Sequence, residues 1–166
     1  MIILLGYMGS GKSTLGKELA ERHKKRFIDL DQQVELAIGT SIADFILNRG
    51  ELRFRKVEHE VLLRILQDSD QDAVLALGGG TPVFYDHMSL LNDAGTTVYL
   101  DVSVNELAKR LSTQSDTRPL LQGHEDMVEF VAKHLFERRE FYFKAKLRLQ
   151  GDALTAAQLE QLLGLV

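Results

Sequence analysis

The segment Gly6-Tyr7-Met8-Gly9-Ser10-Gly11-Lys12-Ser13 constrains this chain more than any other. It matches G-x-x-x-x-G-K-[ST] in full and lies between an apolar run and an amphipathic one. Glycines let backbone N–H groups turn inward around phosphate oxygens. A following helix aims the positive end of its dipole at the same charge. The pattern therefore asks for a strand before it and a helix after it. Ile2–Leu5 supplies an apolar run ended by glycine, and Thr14–Lys24 carries Leu15, Leu19 and Ala20 at helical spacing. Lys12 is placed to bridge the β- and γ-phosphates of a nucleotide, and Ser13 to coordinate Mg²⁺ through its hydroxyl. Gly9, Ser10, Gly11, Lys12, Ser13 and Thr14 are the candidate nucleotide contacts.

Beyond this loop, short apolar runs alternate with amphipathic stretches. Arg26–Asp29, Ala73–Leu77, Thr97–Leu100 and Leu147–Leu149 read as strands. Helical patterns cover 32–38, 41–48, Glu51–Gln67, 86–94, 103–111, 125–143 and 155–164. Residues 112–123 follow neither period, and an irregular stretch of that length is often a lid. Alternation of this kind predicts an α/β fold, a parallel sheet with helices on both faces. Ligands of such sheets bind beyond the carboxyl ends of the strands. The 166 residues suit one domain, 1–166, with one core.

Composition narrows the function classes. Twenty lysines and arginines against 24 carboxylates leave a net charge of −4, which disfavours nucleic acid and membrane surfaces as partners. A small anion needs only a few converging cations. The absence of cysteine excludes disulfides, thiolate metal sites and cysteine nucleophiles. The first apolar run is too short for a signal peptide, and no stretch approaches a membrane span. The expectation is a cytoplasmic protein.

Several side chains outside the loop carry chemistry. Asp29 and Asp31 fall on one side if their strand continues. One could hold Mg²⁺ through water, and the other could accept a hydroxyl proton. Alternatively, Asp31 caps the next helix. Arg138 shares a stripe with Val128, Val131, Leu135 and Tyr142, which points it inward, where it needs an anionic partner. A structural salt bridge or a snorkelling side chain is the plainer reading. Arg139, one step away, reads as solvated. Arg55 and Glu58, three residues apart, form either a surface pair or a device in which Glu58 orients Arg55 toward a ligand. Arg110 and Arg118 flank and enter the irregular stretch. Arg118-Pro119 suits a lid arginine on a transferring phosphate, or else a solvated loop residue. Gly78-Gly79-Gly80 ends a strand and permits close approach of a ligand. His23, His59, His87, His124 and His134 lack metal-site spacing, so no zinc site is expected.

Taken together, these residues resemble the shikimate kinases over nearly the whole chain. The likeness rests on the phosphate loop with Asp29-x-Asp31, Ser41-Ile42-Ala43-Asp44, Phe54-Arg55-x-x-Glu58, Gly78-Gly79-Gly80, Arg118-Pro119-Leu120-Leu121 and Glu137-Arg138-x-x-x-Tyr142. The resemblance implies a three-layer P-loop NTPase fold of nucleoside-monophosphate-kinase type with a five-stranded parallel sheet. It implies a substrate-binding segment near 31–60, a lid near 112–123, and ATP-dependent phosphorylation of the shikimate 3-hydroxyl. Asp31, Arg55, Arg138 and the glycines 78–80 would then hold shikimate, the two arginines taking its carboxylate. Lys12, Asp31 and Arg118 would be catalytic, Ser13 and Asp29 would hold one Mg²⁺ per subunit, and Arg110 would lie near adenine. The partners implied are ATP and shikimate, with the chain a monomer. Three departures stand out. Glu140 replaces a usual proline, Lys146 replaces an alanine, and Thr81-Pro82 is a variant form. The rivals are another small-molecule kinase, such as a gluconate kinase, and a nucleotide-binding module without turnover.

Overall fold

The computed structural model describes residues 1–68, 72–113 and 126–165. Five parallel strands form one sheet in the order β2-β3-β1-β4-β5: β1 (Ile2–Leu5), β2 (Arg26–Asp29), β3 (Ala73–Ala76), β4 (Thr96–Asp101) and β5 (Leu147–Gln150). The central strand β1 pairs Ile3 with Leu75 on one side and with Thr97 on the other. Its buried Ile3, Leu4 and Leu5 feed two apolar clusters, one on each face of the sheet. A strand apolar on both faces needs helices above and below it, as the alternating pattern predicted.

Those helices are α1 (Lys12–Arg22), α2 (Leu30–Ile38), α3 (Ile42–Arg49), α4 (Glu51–Gln67), α5 (His87–Ala94), α6 (Val104–Ser112), α7 (Met127–Tyr142) and α8 (Ala156–Leu163). Helix α1 approaches the sheet at Gly16, where a Cβ would stand 2.8 Å from Phe27 and 3.1 Å from Leu4. Helix α8 closes against α1 through buried Glu160, which accepts from Arg22 at 2.8 Å and bonds His23 at 2.8 Å. None of the described helices is long and apolar enough to cross a membrane.

Strand β2 keeps its expected bounds, and three other readings change. Strand β2 stops at Asp29, so Asp29 and Asp31 do not alternate along one strand. Asp29, not Asp31, caps α2: its Oδ1 accepts from the backbone N–H groups of Asp31 and Gln32. Val128 is 44% exposed, so the inward stripe of α7 begins at Val131. Arg139 is 45% exposed yet pairs at 3.6 Å with buried Asp101, which also accepts from Arg148 and from Tyr99 Oη. A 3₁₀ turn over Thr81–Val83, with Pro82 near its start, was not foreseen. The departures are absorbed locally. With Glu140 in place of proline, α7 continues without a break to Tyr142, and Lys146 Nζ donates to the Gly95 carbonyl at 2.9 Å. The 112–123 segment falls almost wholly outside the described residues, and with it Arg118 and His124.

Candidate active site

The carboxyl ends of β1, β2 and β3 bring three loops together. In the first, Gly9 and Gly11 take φ of 80° and 94°, the left-handed region where glycine has no steric penalty. Nothing crowds Gly11, so its backbone angle alone requires glycine there. Lys12 lies back along the loop, its Nζ donating to the carbonyls of Gly6 at 2.9 Å and Tyr7 at 3.0 Å. Ser10 is buried beneath it, while Ser13 and Thr14 open α1 on the exposed side. Arg110 braces the far flank: it pairs with Glu106 and donates to the carbonyls of Gly9, at 3.0 Å, and Asp152. Asp152 in turn accepts from the Ser103 N–H, and bonds from Ser103 hold its carboxyl below the ordinary range.

The second loop carries the acids. Asp29 Oδ2 accepts from Ser13 Oγ at 2.7 Å while Oδ1 caps α2. One carboxylate thus fixes both the start of α2 and the hydroxyl of the phosphate loop. This hydroxyl–carboxylate pair suits a hard cation. Among the described residues no group of three or more His, Cys, Asp or Glu could cage a metal alone. A cation here would complete its shell with water and phosphate oxygens, which is how Mg²⁺ is usually held. Asp31, at the start of α2, is reached by water, yet the protein surrounds its carboxyl on most sides. That burial pushes it up to about 6; Lys12 pulls it down, and Asp29, Glu58 and Glu35 push it further up.

The third loop is the glycine floor, and each glycine answers to a different neighbour. A Cβ on Gly78 would lie 2.7 Å from Asp31 Oδ1 and 3.0 Å from Thr81 Oγ1. One on Gly79 would lie 3.3 Å from the Met8 nitrogen, and one on Gly80 would lie 2.6 Å from Arg55 Nη2. Arg55 donates to Glu58 at 2.9 Å and to Glu51 at 3.1 and 3.3 Å, with its guanidinium against the rings of Phe54 and Phe84. Glu58, 1% exposed, also accepts from Thr81 Oγ1 at 2.7 Å. The pairing of Arg55 with Glu58 was legible from their spacing.

Behind Thr81 lies a feature that the sequence hid. Its carbonyl takes a bond from His87 Nδ1 at 2.7 Å, and His87 Nε2 meets His59 Nδ1 at 2.8 Å. A carbonyl only accepts, so Nδ1 of His87 carries hydrogen. Burial lowers the pKa of His87 and keeps it neutral, so its Nε2 accepts from His59. His59 and His87, 28 residues apart in the chain, thus form one hydrogen-bonded relay behind Thr81.

Arg138 completes the ring from α7. Its Nη1 donates to the His134 carbonyl at 3.0 Å, and its guanidinium lies 6.0 Å from the Tyr7 ring centre. No carboxylate of the described residues pairs with it. One turn later, Tyr142 Oη donates to the Gly79 carbonyl at 2.6 Å and ties α7 to the glycine floor. Lys12, Ser13, Asp29, Asp31, Arg55, Gly78–Gly80 and Arg138 are thus linked by direct neighbours around one cleft. Arg110 stands on its outer flank.

A family model described as shikimate kinase matches residues 8–163. The chain belongs to the shikimate kinase family. A shikimate kinase from Parabacteroides distasonis is 41% identical over 92% of this chain and 88% of its own length. The crystal structure of a shikimate kinase from Bacteroides thetaiotaomicron superposes with a TM-score of 0.92 at 35% identity, covering 98% of this chain and 97% of the other. A shikimate kinase from Acinetobacter baumannii, solved in complex with shikimate, gives 0.86 at 30% identity, covering 98% and 92%. Shikimate kinases have the three-layer P-loop fold, so the sheet order and flanking helices described above are those of the family.

Proposed function

We propose that this chain transfers the γ-phosphoryl group of ATP to the 3-hydroxyl of shikimate, giving shikimate 3-phosphate and ADP, on the route to chorismate and aromatic amino acids. One observation carries this reading most directly. Arg138, half-buried and paired with no carboxylate of the described residues, stands against Tyr7 of the phosphate loop, and Arg55 and Asp31 stand against the adjoining glycines 80 and 78. That arrangement fits a small hydroxylated carboxylate held next to a nucleotide.

Arg55 and Arg138 would take the shikimate carboxylate, and the backbone of Gly78, Gly79 and Gly80 would line the ring. Asp31 would accept the 3-hydroxyl proton as the new O–P bond forms and the β–γ bridging P–O bond breaks. Lys12 would follow the charge onto the bridging oxygens, and the N–H groups of Gly9, Ser10, Gly11, Ser13 and Thr14 would cradle the phosphates. Ser13 and Asp29 would hold one Mg²⁺, which neutralises charge on the β- and γ-oxygens when bound. Arg118 would close onto the phosphates from a lid near 112–123, and Arg110 would lie near adenine. Little covalent chemistry falls to the protein; positioning and charge do the rest. The chain would work as one domain over 1–166, as a monomer in the cytoplasm, without nucleic acid or membrane partners.

An ATP-consumption assay run in parallel with shikimate, gluconate and quinate tests this. Shikimate should give by far the fastest turnover. Gluconate-dependent turnover in its place would favour the related-kinase rival, and nucleotide binding without turnover would favour a binding module. Arg138→Ala should raise the shikimate KM by about 10–100-fold, the worth of a charged hydrogen bond, with a smaller change in kcat. An unchanged KM would make Arg138 a structural residue.

A further inference from the structure

Arg55 and Arg138 border one cleft, yet they are compensated very differently. Arg138 pairs with no carboxylate of the described residues, whereas Arg55 meets two. Glu58 takes Nη1 at 2.9 Å; it is 1% exposed and held a second time by Thr81. Glu51 takes Nε and Nη2 through one oxygen, at 3.3 and 3.1 Å, and is 58% exposed. The guanidinium is crowded by Gly80, where a Cβ would lie 2.6–3.0 Å from it, and its carbon stands 4.8 and 4.4 Å from the ring centres of Phe54 and Phe84. The Nε–Nη2 edge is where a carboxylate forks onto arginine with two parallel bonds.

We propose that Glu51 is an internal competitor, occupying the edge of Arg55 that the substrate carboxylate takes and thereby setting the affinity for it. The inference rests on the shikimate reading above. Glu58 cannot yield the place, because it is buried and doubly bonded. Glu51 can, because its own carboxylate is 58% exposed, so water takes over its hydration when it leaves Arg55. Its charge also adds to a carboxylate-rich wall. The point a Gly78 Cβ would occupy is 2.7 Å from Asp31 Oδ1 and 3.3 Å from Glu58 Oε1. An arriving anion therefore contends with Glu51 twice, for the same donors and through repulsion.

The test compares steady-state kinetics of Glu51→Gln and Glu51→Ala with the parent enzyme at low and high salt. Both variants should lower the shikimate KM by about three- to tenfold at low salt. Their kcat should stay within twofold and the KM for ATP should not move. The gap should narrow as salt is added. A merely structural Glu51 would move Tm without this split between KM and kcat. A shikimate KM that is unchanged or raised in both variants overturns the proposal, since Glu51 would then be supporting Arg55. A parent enzyme with no shikimate-dependent turnover overturns the reading beneath it instead.

Discussion

Asp31→Asn is expected to lower kcat by about 10²–10⁴-fold, the usual worth of a positioned general base, and at the same time to raise Tm. The two effects share one origin. Burial and the neighbouring Asp29, Glu58 and Glu35 carry the Asp31 carboxyl from an ordinary 3.8 up to about 6, against the pull of Lys12. A carboxylate with that pKa is ionised at neutral pH and more basic than a free one, as a proton acceptor should be. Activity needs the ionised form, so kcat/KM of the parent enzyme should fall as pH drops through about 6. The asparagine variant should lose that acid limb. Stability runs the other way. The fold favours the protonated carboxyl, so the contribution of Asp31 is fully present below 3.8 and lost as pH rises through about 6. Asparagine escapes that loss. Water reaches Asp31, and after discounting for this screening the gain above pH 6 is about 1 kcal/mol, or about 2–4 °C in Tm. The two proteins should converge near pH 4. Calorimetry and a pH profile of kcat and kcat/KM on the same preparations check both limbs. A near-normal kcat would remove the proton-acceptor role, and a Tm difference independent of pH would remove its electrostatic cause.

The phosphate loop was fully legible in the sequence because its function is local: eight consecutive residues carry the backbone turn, the lysine and the hydroxyl. The strand order was legible only as a class, since alternation implies parallel strands without ranking them. Asp29 shows where a local rule fails narrowly. Strand periodicity would put both acids on one face only if the strand ran on past Asp29, and capping chemistry was weighed two residues late, at Asp31. The strand ends at Asp29, as its expected bounds had it, and Asp29 performs the capping and holds Ser13 as well. Val128 shows the same sensitivity at a helix end, where periodicity is least bound by packing.

What stayed hidden is non-local. Glu58 meets Thr81 across 23 residues, His59 meets His87 across 28, Tyr142 reaches Gly79 across 63, and Arg110 reaches Gly9 across 101. No periodicity connects such pairs. The one available signal was the triple glycine itself. Asp31 and Arg55 stand where a Cβ on Gly78 or Gly80 would go, and Met8 leaves one on Gly79 only a tight 3.3 Å.

Glu58→Ala should be the most destabilising single change in this cleft, by about 3 kcal/mol, the lower end for removing one partner of a buried ion pair. The lower end applies because Arg55, 12% exposed, keeps Glu51. Two donors lose their acceptor at once, Arg55 Nη1 and the Thr81 hydroxyl. Glu58→Gln should recover part of the loss, because its amide oxygen can accept from Arg55 and its NH2 can donate to the Thr81 hydroxyl, while the charge that compensates Arg55 stays missing. Urea unfolding should show a lower midpoint with an unchanged slope. The double variant Glu58→Ala/Arg55→Met separates charge from packing. If the uncompensated guanidinium causes the loss, the double variant is more stable than Glu58→Ala alone; if the cavity does, it is no better. The same substitution reaches the chemistry through Asp31. Glu58 is one of the charges that raise the Asp31 carboxyl, so its removal should move the acid limb of kcat/KM below that of the parent enzyme. A limb that stays in place would mean that Glu58 adds nothing to the basicity of Asp31.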